Sequence, residues 1–173
     1  MKKNILIALF SLPIIFSCSE KEQKNSDTDI IEYNEDTSNE KNKKTPETIS
    51  HIVIKADDNM MFDKTNFTVK AGEEITLLLV NAGSLSKEAM GHNVVILNQG
   101  TDTNSFALAA SSEKSNDYIP TTKQNEIIAH TKLLGSKESD QIKFKIDQPG
   151  TYDFICSFPG HAATMKGTIT VIN

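Results

Sequence analysis

Cys156-Ser157-Phe158-Pro159-Gly160-His161-Ala162-Ala163-Thr164-Met165 places a thiol, an imidazole and a thioether within ten residues near the end of the chain, spaced C-x4-H-x3-M. Upstream, Met90-Gly91-His92-Asn93 supplies a second imidazole. Two nitrogens, one thiolate and one weak thioether form the donor set of a mononuclear electron-transfer copper site. An ion that cycles between Cu(I) and Cu(II) must be held in nearly one geometry, or each electron costs a rearrangement of ligands. A trigonal set of two imidazoles and a thiolate, with a distant axial sulfur, suits both states. Cys156 is the candidate thiolate, His92 and His161 the candidate nitrogens, and Met165 the weak axial partner. Pro159 and Gly160 tighten the loop so that one segment offers three donors. His92 comes from far away in the chain, so a folded scaffold has to bring it there.

That scaffold is legible as strands. Ile49 to Lys55 alternates, with Ile52 and Ile54 set against His51, Val53 and Lys55. Asp57-Asp58-Asn59 is a turn signal. Short strands follow at Met60-Met61-Phe62 and Asn66 to Lys70, and a more buried one at Glu74 to Asn81. Ala82 to Glu88 is expected to be a loop. Gly91 to Leu97 is expected to open the next strand, with His92 near its start. Thr103 to Ala110 is alanine-rich behind a cap at Thr101 or Asp102, which predicts one short helix. Ser115 to Glu126 is expected to be loop. Ile127 to Leu134 suggests a strand fragment ending irregularly at Gly135. Gln141 to Ile146 alternates clearly, and Thr151 to Cys156 and Met165 to Ile172 close the set. Many short strands between turn signals predict an all-β sandwich or barrel. One helix is too few for a parallel βαβ architecture.

The first part of the chain has a different composition. Lys2 and Lys3 precede an apolar run from Ile5 to Phe16, broken only by Ser11 and Pro13. This run is shorter than the ~20 residues of a membrane span and fits an export signal. Ile14-Ile15-Phe16-Ser17-Cys18 ends it and resembles a bacterial lipoprotein box, which implies cleavage before Cys18 and lipidation of that cysteine. Phe16 is bulkier than the usual residue at its position. Ser19 to Thr48 is rich in charged and small polar residues, with Ile30, Ile31 and Tyr33 its only sizeable apolar groups. A segment so poor in apolar surface is expected to act as a disordered tether. The expected organisation is therefore a signal at 1–17, a lipidated tether at 18–48 and a folded domain at 49–173. About 125 residues suffice for one core. The only cysteines are Cys18 and Cys156, so no disulfide is expected within the domain. A net charge of −5 with no basic stripe gives nucleic acid nothing to bind.

Met90-Gly91-His92-Asn93, the loop from Cys156 to His161, and Met165-Lys166-Gly167-Thr168 together resemble the azurin family of blue copper proteins. Asp117-Tyr118, Ile128-Ala129-His130-Thr131-Lys132-Leu133 and the position of the helix extend the likeness over the whole domain. The resemblance implies an eight-stranded Greek-key sandwich with a helical flap and one copper ion. It implies that the carbonyl of Gly91 lies axially opposite Met165, and that backbone N–H groups near Asn93 and Phe158 bond the Cys156 sulfur. It also implies an apolar face around His161, here made of Met60, Leu85, Met90, Phe158, Pro159 and Ala162, where redox partners such as c-type cytochromes or a terminal reductase dock. The chain departs from the family pattern in lacking its disulfide, its core tryptophan and a histidine between Val80 and Gly83.

The favoured function is a one-electron carrier, not an enzyme, tethered on the periplasmic side of a bacterial envelope. A copper storage or delivery protein would use the same ligands, but in a more open site. A module of a multicopper oxidase would need His-x-His pairs, which are missing. A Cys–His nucleophile pair would leave Met165 without a role and has no orienting acid beside it. His51 and His130 are expected at the surface.

Overall fold

The computed structural model describes residues 47–173. Its strands are β1 (His51–Asp57), β2 (Met61–Phe62), β3 (Asn66–Lys70), β4 (Glu74–Asn81), β5 (Val95–Leu97), β6 (Ile127–His130), β7 (Ser139–Lys145), β8 (Gly150–Ile155) and β9 (Lys166–Ile172). The helices are α1 (Lys87–Met90) and α2 (Thr103–Ala110). The signal, Cys18 and nearly all of the tether lie outside the described residues.

Two sheets face each other. One has the order β2-β1-β4-β7 and the other β3-β9-β8-β5-β6. β1 runs parallel to β4, and β3 parallel to β9, while the remaining pairs are antiparallel. This is a Greek-key β-sandwich with a short helix. The alternation of the strands sets the layers: Ile52, Ile54 and Ala56 of β1 and Ile75, Leu77 and Leu79 of β4 are buried while their neighbours face outward. A one-residue slip would turn every one of these side chains to solvent, so burial fixes the register.

Phe154 of β8 lies at the centre of the core, with its ring centroid 5.7 Å from that of Phe62 and 5.9 Å from that of Phe67. Gly167 of β9 pairs with it across the strands. A Cβ at Gly167 would fall 2.4 Å from the Phe154 ring, so glycine is required there for space. Asp102 caps α2 by accepting from the amides of Asn104 and Ser105, and Phe106 and Ala110 turn inward to the core.

Several local expectations change. The described residues hold nine strands against the eight that the resemblance implies, and the short strand expected at Met60–Phe62 is the two-residue β2. The expected loop at 82–88 ends in the one-turn helix α1. The expected loop at 115–126 contains 3-10 turns at Lys114–Asn116 and Thr121–Glu126. The strand expected from Gly91 begins only at Val95. The amide of Val94 is taken by the Thr131 side chain, at 3.0 Å, instead of a backbone carbonyl. His92 keeps only an isolated bridge to Leu134. The ladder is thus interrupted where the candidate ligand sits.

Phe154→Ala should lower unfolding stability by about 3–5 kcal/mol, as for other large buried aromatics. Equilibrium denaturation measures this. A loss below ~1 kcal/mol would contradict the packing described.

Candidate metal centre

The site lies where two distant segments of chain meet beyond the strand ends. Cys156 directly follows β8 and Met165 directly precedes β9, so the register of that pair fixes both. The Cys156 amide donates to the Met165 carbonyl at 2.9 Å, and the Met165 amide donates to the His161 carbonyl at 2.8 Å. The His161 amide donates to the Phe158 carbonyl at 3.0 Å. Gly160 takes φ +85° just before the 3-10 turn His161–Ala163, a conformation that costs glycine least. The loop is therefore a closed set of tight turns.

His92 enters from the other side. Its amide donates to the Leu134 carbonyl at 3.1 Å, and its carbonyl accepts from the Leu134 amide at 2.8 Å. Gly91 is buried, and a Cβ there would lie 2.6 Å from the Lys87 carbonyl and 3.1 Å from both δ-carbons of Leu133. Glycine is needed at this position for close approach, since its φ of −70° suits any residue.

The donor atoms of His92, Cys156 and His161 all lie within 4.8 Å of one another, and all three residues are buried. Cys156 Sγ and His161 Nδ1 are 3.6 Å apart. Met165 is fully buried as well. The two imidazole rings are 5.1 Å apart between centroids. Neither ring nitrogen of His92 makes a hydrogen bond of good geometry, although the Asp57 carbonyl lies close enough to act on the ring. A buried polar atom without a partner is costly, and a metal ion removes that cost. Burial pushes the Cys156 thiol up to about 11, against the backbone amides of Asn93 and Phe158, which favour the thiolate. Burial, together with the neighbouring His92, draws His161 down to about 4. Burial also lowers His92, opposed by the Asp57 carbonyl and the carboxylates of Asp58 and Asp57. Both imidazoles are thus held neutral, the form that ligates. The soft thiolate, two imidazoles and nearby thioether fit copper.

Asn93 joins the two halves. Its side-chain oxygen accepts from the Ser157 amide at 2.8 Å, and its side-chain nitrogen donates to the Ser157 hydroxyl at 2.8 Å and to the Asp117 carbonyl at 3.2 Å. Asp117 and Tyr118 both adopt positive φ, +52° and +59°, which turns the chain back to offer that carbonyl. The Tyr118 ring meets Phe158 edge-on at 5.1 Å, and Phe158 packs on His161 at 4.6 Å. Asn81, fully buried, holds the Gly83 amide at 2.9 Å and donates to the same Leu134 carbonyl that His92 uses. Ser157, Thr131, Asn81 and Leu134 escaped the reading of the sequence, because none is a donor type for a metal. Only the polarity of Asn81 at the end of an apolar strand hinted at a buried role.

Of the residues expected in the apolar face, Met60 and Leu85 are exposed at 38% and 44%. Pro159 is exposed too, and Met90 and Ala162 are half-buried. The Thr164 hydroxyl donates to the Met60 carbonyl at 3.0 Å, which joins the β1–β2 turn to the ligand loop. His51 and His130 are exposed and stand outside this group.

Fold and donor set together define a mononuclear copper-binding β-sandwich. Residues 49–172 match the family model for copper binding proteins of the plastocyanin/azurin family. The chain is 36% identical over 122 residues to an azurin of Alcaligenes faecalis, covering 68% of this chain and 94% of that one. It is 39% identical over 128 residues to an azurin of Pseudomonas aeruginosa, covering 69% and 83%, and 40% identical to one of Pseudomonas denitrificans, covering 69% and 96%. Among solved structures, a dithionite-reduced auracyanin of the photosynthetic bacterium Roseiflexus castenholzii aligns with a TM-score of 0.66 at 35% identity, covering 73% of this chain and all of that one. The chain belongs to the plastocyanin/azurin family of copper-binding proteins, and its cofactor is one copper ion.

The shifted groups set the pH response of the metal-free protein. His161 is depressed in the folded state, so its contribution is present above the unfolded value of ~6.5 and is lost as pH falls toward about 4. Cys156 is raised, so its contribution is present below its unfolded value of ~8.5 and is lost as pH rises toward about 11. Metal-free melting temperature should therefore be highest between ~pH 6.5 and ~8.5 and fall on both sides. Copper loading should flatten the acid limb. Calorimetric melts at pH 5, 7 and 10 test this, and a metal-free protein that gains stability from pH 7 to pH 5 would contradict it.

Proposed function

We propose that the protein is a one-electron carrier with a type 1 copper site, working at the bacterial cell envelope. The observation that carries this reading is the enclosure of a single thiol between two neutral imidazoles, with Met165 buried beside them. Bound copper supplies the electron by cycling between Cu(I) and Cu(II). The chain's own residues keep that cycle fast: strand register and the Asn93–Ser157 bonds hold the donors in place whatever the ion's charge. His92, Cys156 and His161 would hold the ion, Met165 and the Gly91 carbonyl are proposed as its further ligands, and the amides of Asn93 and Phe158 would steady the thiolate. Burial keeps water out of the ligand set, which removes a source of rearrangement energy.

His161 is the electron's exit. It is 3% exposed, and Met60, Leu85 and Pro159, which are exposed, with Met90 and Ala162, which are half-buried, are the proposed apolar face around it. An apolar face of this kind suits brief contacts with redox proteins such as c-type cytochromes or a terminal reductase, since small dry interfaces form and release quickly. Cys18 is the proposed lipid attachment, and residues 18–48 the proposed tether to the membrane on its periplasmic side. Among the described residues no helix is long and apolar enough to cross a membrane. The protein is proposed to lack catalytic activity of its own. A copper storage or delivery role would need easy exchange of the ion, which buried ligands on strand ends oppose.

Cu(II) added to the metal-free protein should give an intense visible thiolate-to-copper absorption that is lost in Cys156→Ser. A colourless Cu(II) complex would contradict the reading. Slow copper loss to a chelator, with fast reduction by a small donor, separates an electron carrier from a delivery protein, which would show the reverse.

A further inference from the structure

One buried amide on the four-stranded sheet offers no donor to the metal, yet it lies two hydrogen bonds from His92. Asn81 ends β4 and is 1% exposed. Its backbone is tied on both sides: its amide donates to the Glu138 carbonyl at 2.9 Å, and its carbonyl accepts from the Lys137 amide at 3.0 Å. Its side chain has both ends engaged as well. Oδ1 accepts from the Gly83 amide at 2.9 Å, closing a turn onto its own chain. Nδ2 donates to the Leu134 carbonyl at 3.3 Å. That same carbonyl accepts from the His92 amide at 3.1 Å, and the Leu134 amide donates back to the His92 carbonyl at 2.8 Å. Both lone pairs of the Leu134 carbonyl are thus in use, one toward His92 and one toward Asn81.

The topology gives these bonds their weight. His92 has no strand ladder around it and keeps an isolated bridge to Leu134. Leu134 itself lies in the connection that crosses from β6 in one sheet to β7 in the other. Asn81 stands in a regular ladder, paired with Ala56 of β1. A carboxamide suits the position because it presents a donor and an acceptor in different directions. A carboxylate would set an anion against the Leu134 carbonyl, and an apolar side chain would leave the buried Gly83 amide without a partner. The loop beyond Asn81 has anchors of its own. The Ser136 hydroxyl donates to the Gly83 carbonyl at 2.8 Å, and the Asp58 carboxylate accepts from the Ser84 amide and hydroxyl, both at 2.7 Å. The bond from Asn81 to Leu134 therefore acts on the His92 side, not on that loop.

We infer that Asn81 is a positioning residue for the metal centre: its side-chain amide fixes the Leu134 carbonyl on which the His92 backbone hangs, and so ties this ligand to the β4 ladder before an ion is bound. Asn81 acts through Leu134 and touches no donor atom. Asn93 links the His92 segment to the loop of Cys156, and Asn81 links it to the opposite sheet. The backbone of His92 is then held from two directions, and its ring keeps its aim without help from the metal.

This rests on the copper reading above, and the test separates the two. Amide hydrogen exchange is followed in the metal-free full chain carrying Cys18→Ser, which leaves one thiol. Asn81→Ser keeps an oxygen able to close the turn onto Gly83 but is too short to reach Leu134. Asn81→Ala loses both bonds. Ile75→Val trims a buried side chain at the far end of the same strand and serves as the control for general destabilisation. In both Asn81 variants the His92 and Leu134 amides should exchange about tenfold faster relative to the amides of β8, the factor expected for one lost hydrogen bond. Ile75→Val should speed all of them by one common factor. With copper bound, both Asn81 variants should lose the ion to a chelator roughly tenfold faster than Ile75→Val does. The inference is overturned if His92 and Leu134 keep step with β8 in the Asn81 variants, or if copper leaves them no faster than it leaves Ile75→Val. It is overturned too if Asn81→Ala alone has the effect, which would assign it to the Gly83 turn. Neither readout uses colour or electron transfer. A colourless but copper-binding protein would sink the electron-carrier reading and still decide the role of Asn81.

Discussion

The structure turns on burying one thiol against two imidazoles with no internal partner that satisfies them all. Burial alone makes the thiolate expensive, and it leaves the His92 ring without a well-formed hydrogen bond. A cation resolves both costs at once. The scaffold has to be stable enough to hold this arrangement before the ion arrives, which a disulfide-free domain must do through its core. The sandwich achieves it by making the ligand positions consequences of strand register. Cys156 and Met165 are adjacent because β8 and β9 pair, and that pairing is fixed by the burial of Tyr152, Phe154, Ile169 and Val171.

Polar side chains complete what the ladders leave open. At His92 the strand is interrupted, and Thr131, Leu134 and Asn81 take over the bonds that a regular neighbour would have made. Asn93 then crosses to Ser157 and Asp117, so the segment bearing His92 and the loop bearing Cys156 cannot move independently. Each bond of this kind adds only about 1 kcal/mol net. Their larger effect is on geometry, since a buried network has one arrangement that satisfies every member. Two left-handed residues, Asp117 and Tyr118, are part of that arrangement. Strain of this sort persists where surrounding contacts over-determine the backbone.

The parts visible in the sequence were those with a periodic or chemical signature. Ile52 and Ile54, or Ile142, Phe144 and Ile146, alternate plainly enough to define strands. Cys156, His161 and Met165 stand in one loop whose spacing has few other uses. Gly91 and Asn93 were found through their place beside His92 in a recognisable motif. The missed elements depend on contacts between distant residues. Nothing local tells that the Val94 amide will choose the Thr131 hydroxyl, so β5 was extended too far. Lys87 to Met90 is too short for a helical period to show. The grip of Asp58 on Ser84 spans 26 positions, and a turn signal at Asp57-Asp58-Asn59 accounts for an aspartate there without it.

The fold, not the metal, builds the site, and crystal structures of the metal-free and Cu(II)-loaded protein put this to the test. The His92, Cys156 and His161 donor atoms should keep their mutual placement, with the Asn93–Ser157 bonds intact in both. A metal-free structure with the His92 ring swung away, or with the loop from Ser157 to Thr164 rearranged, would contradict it.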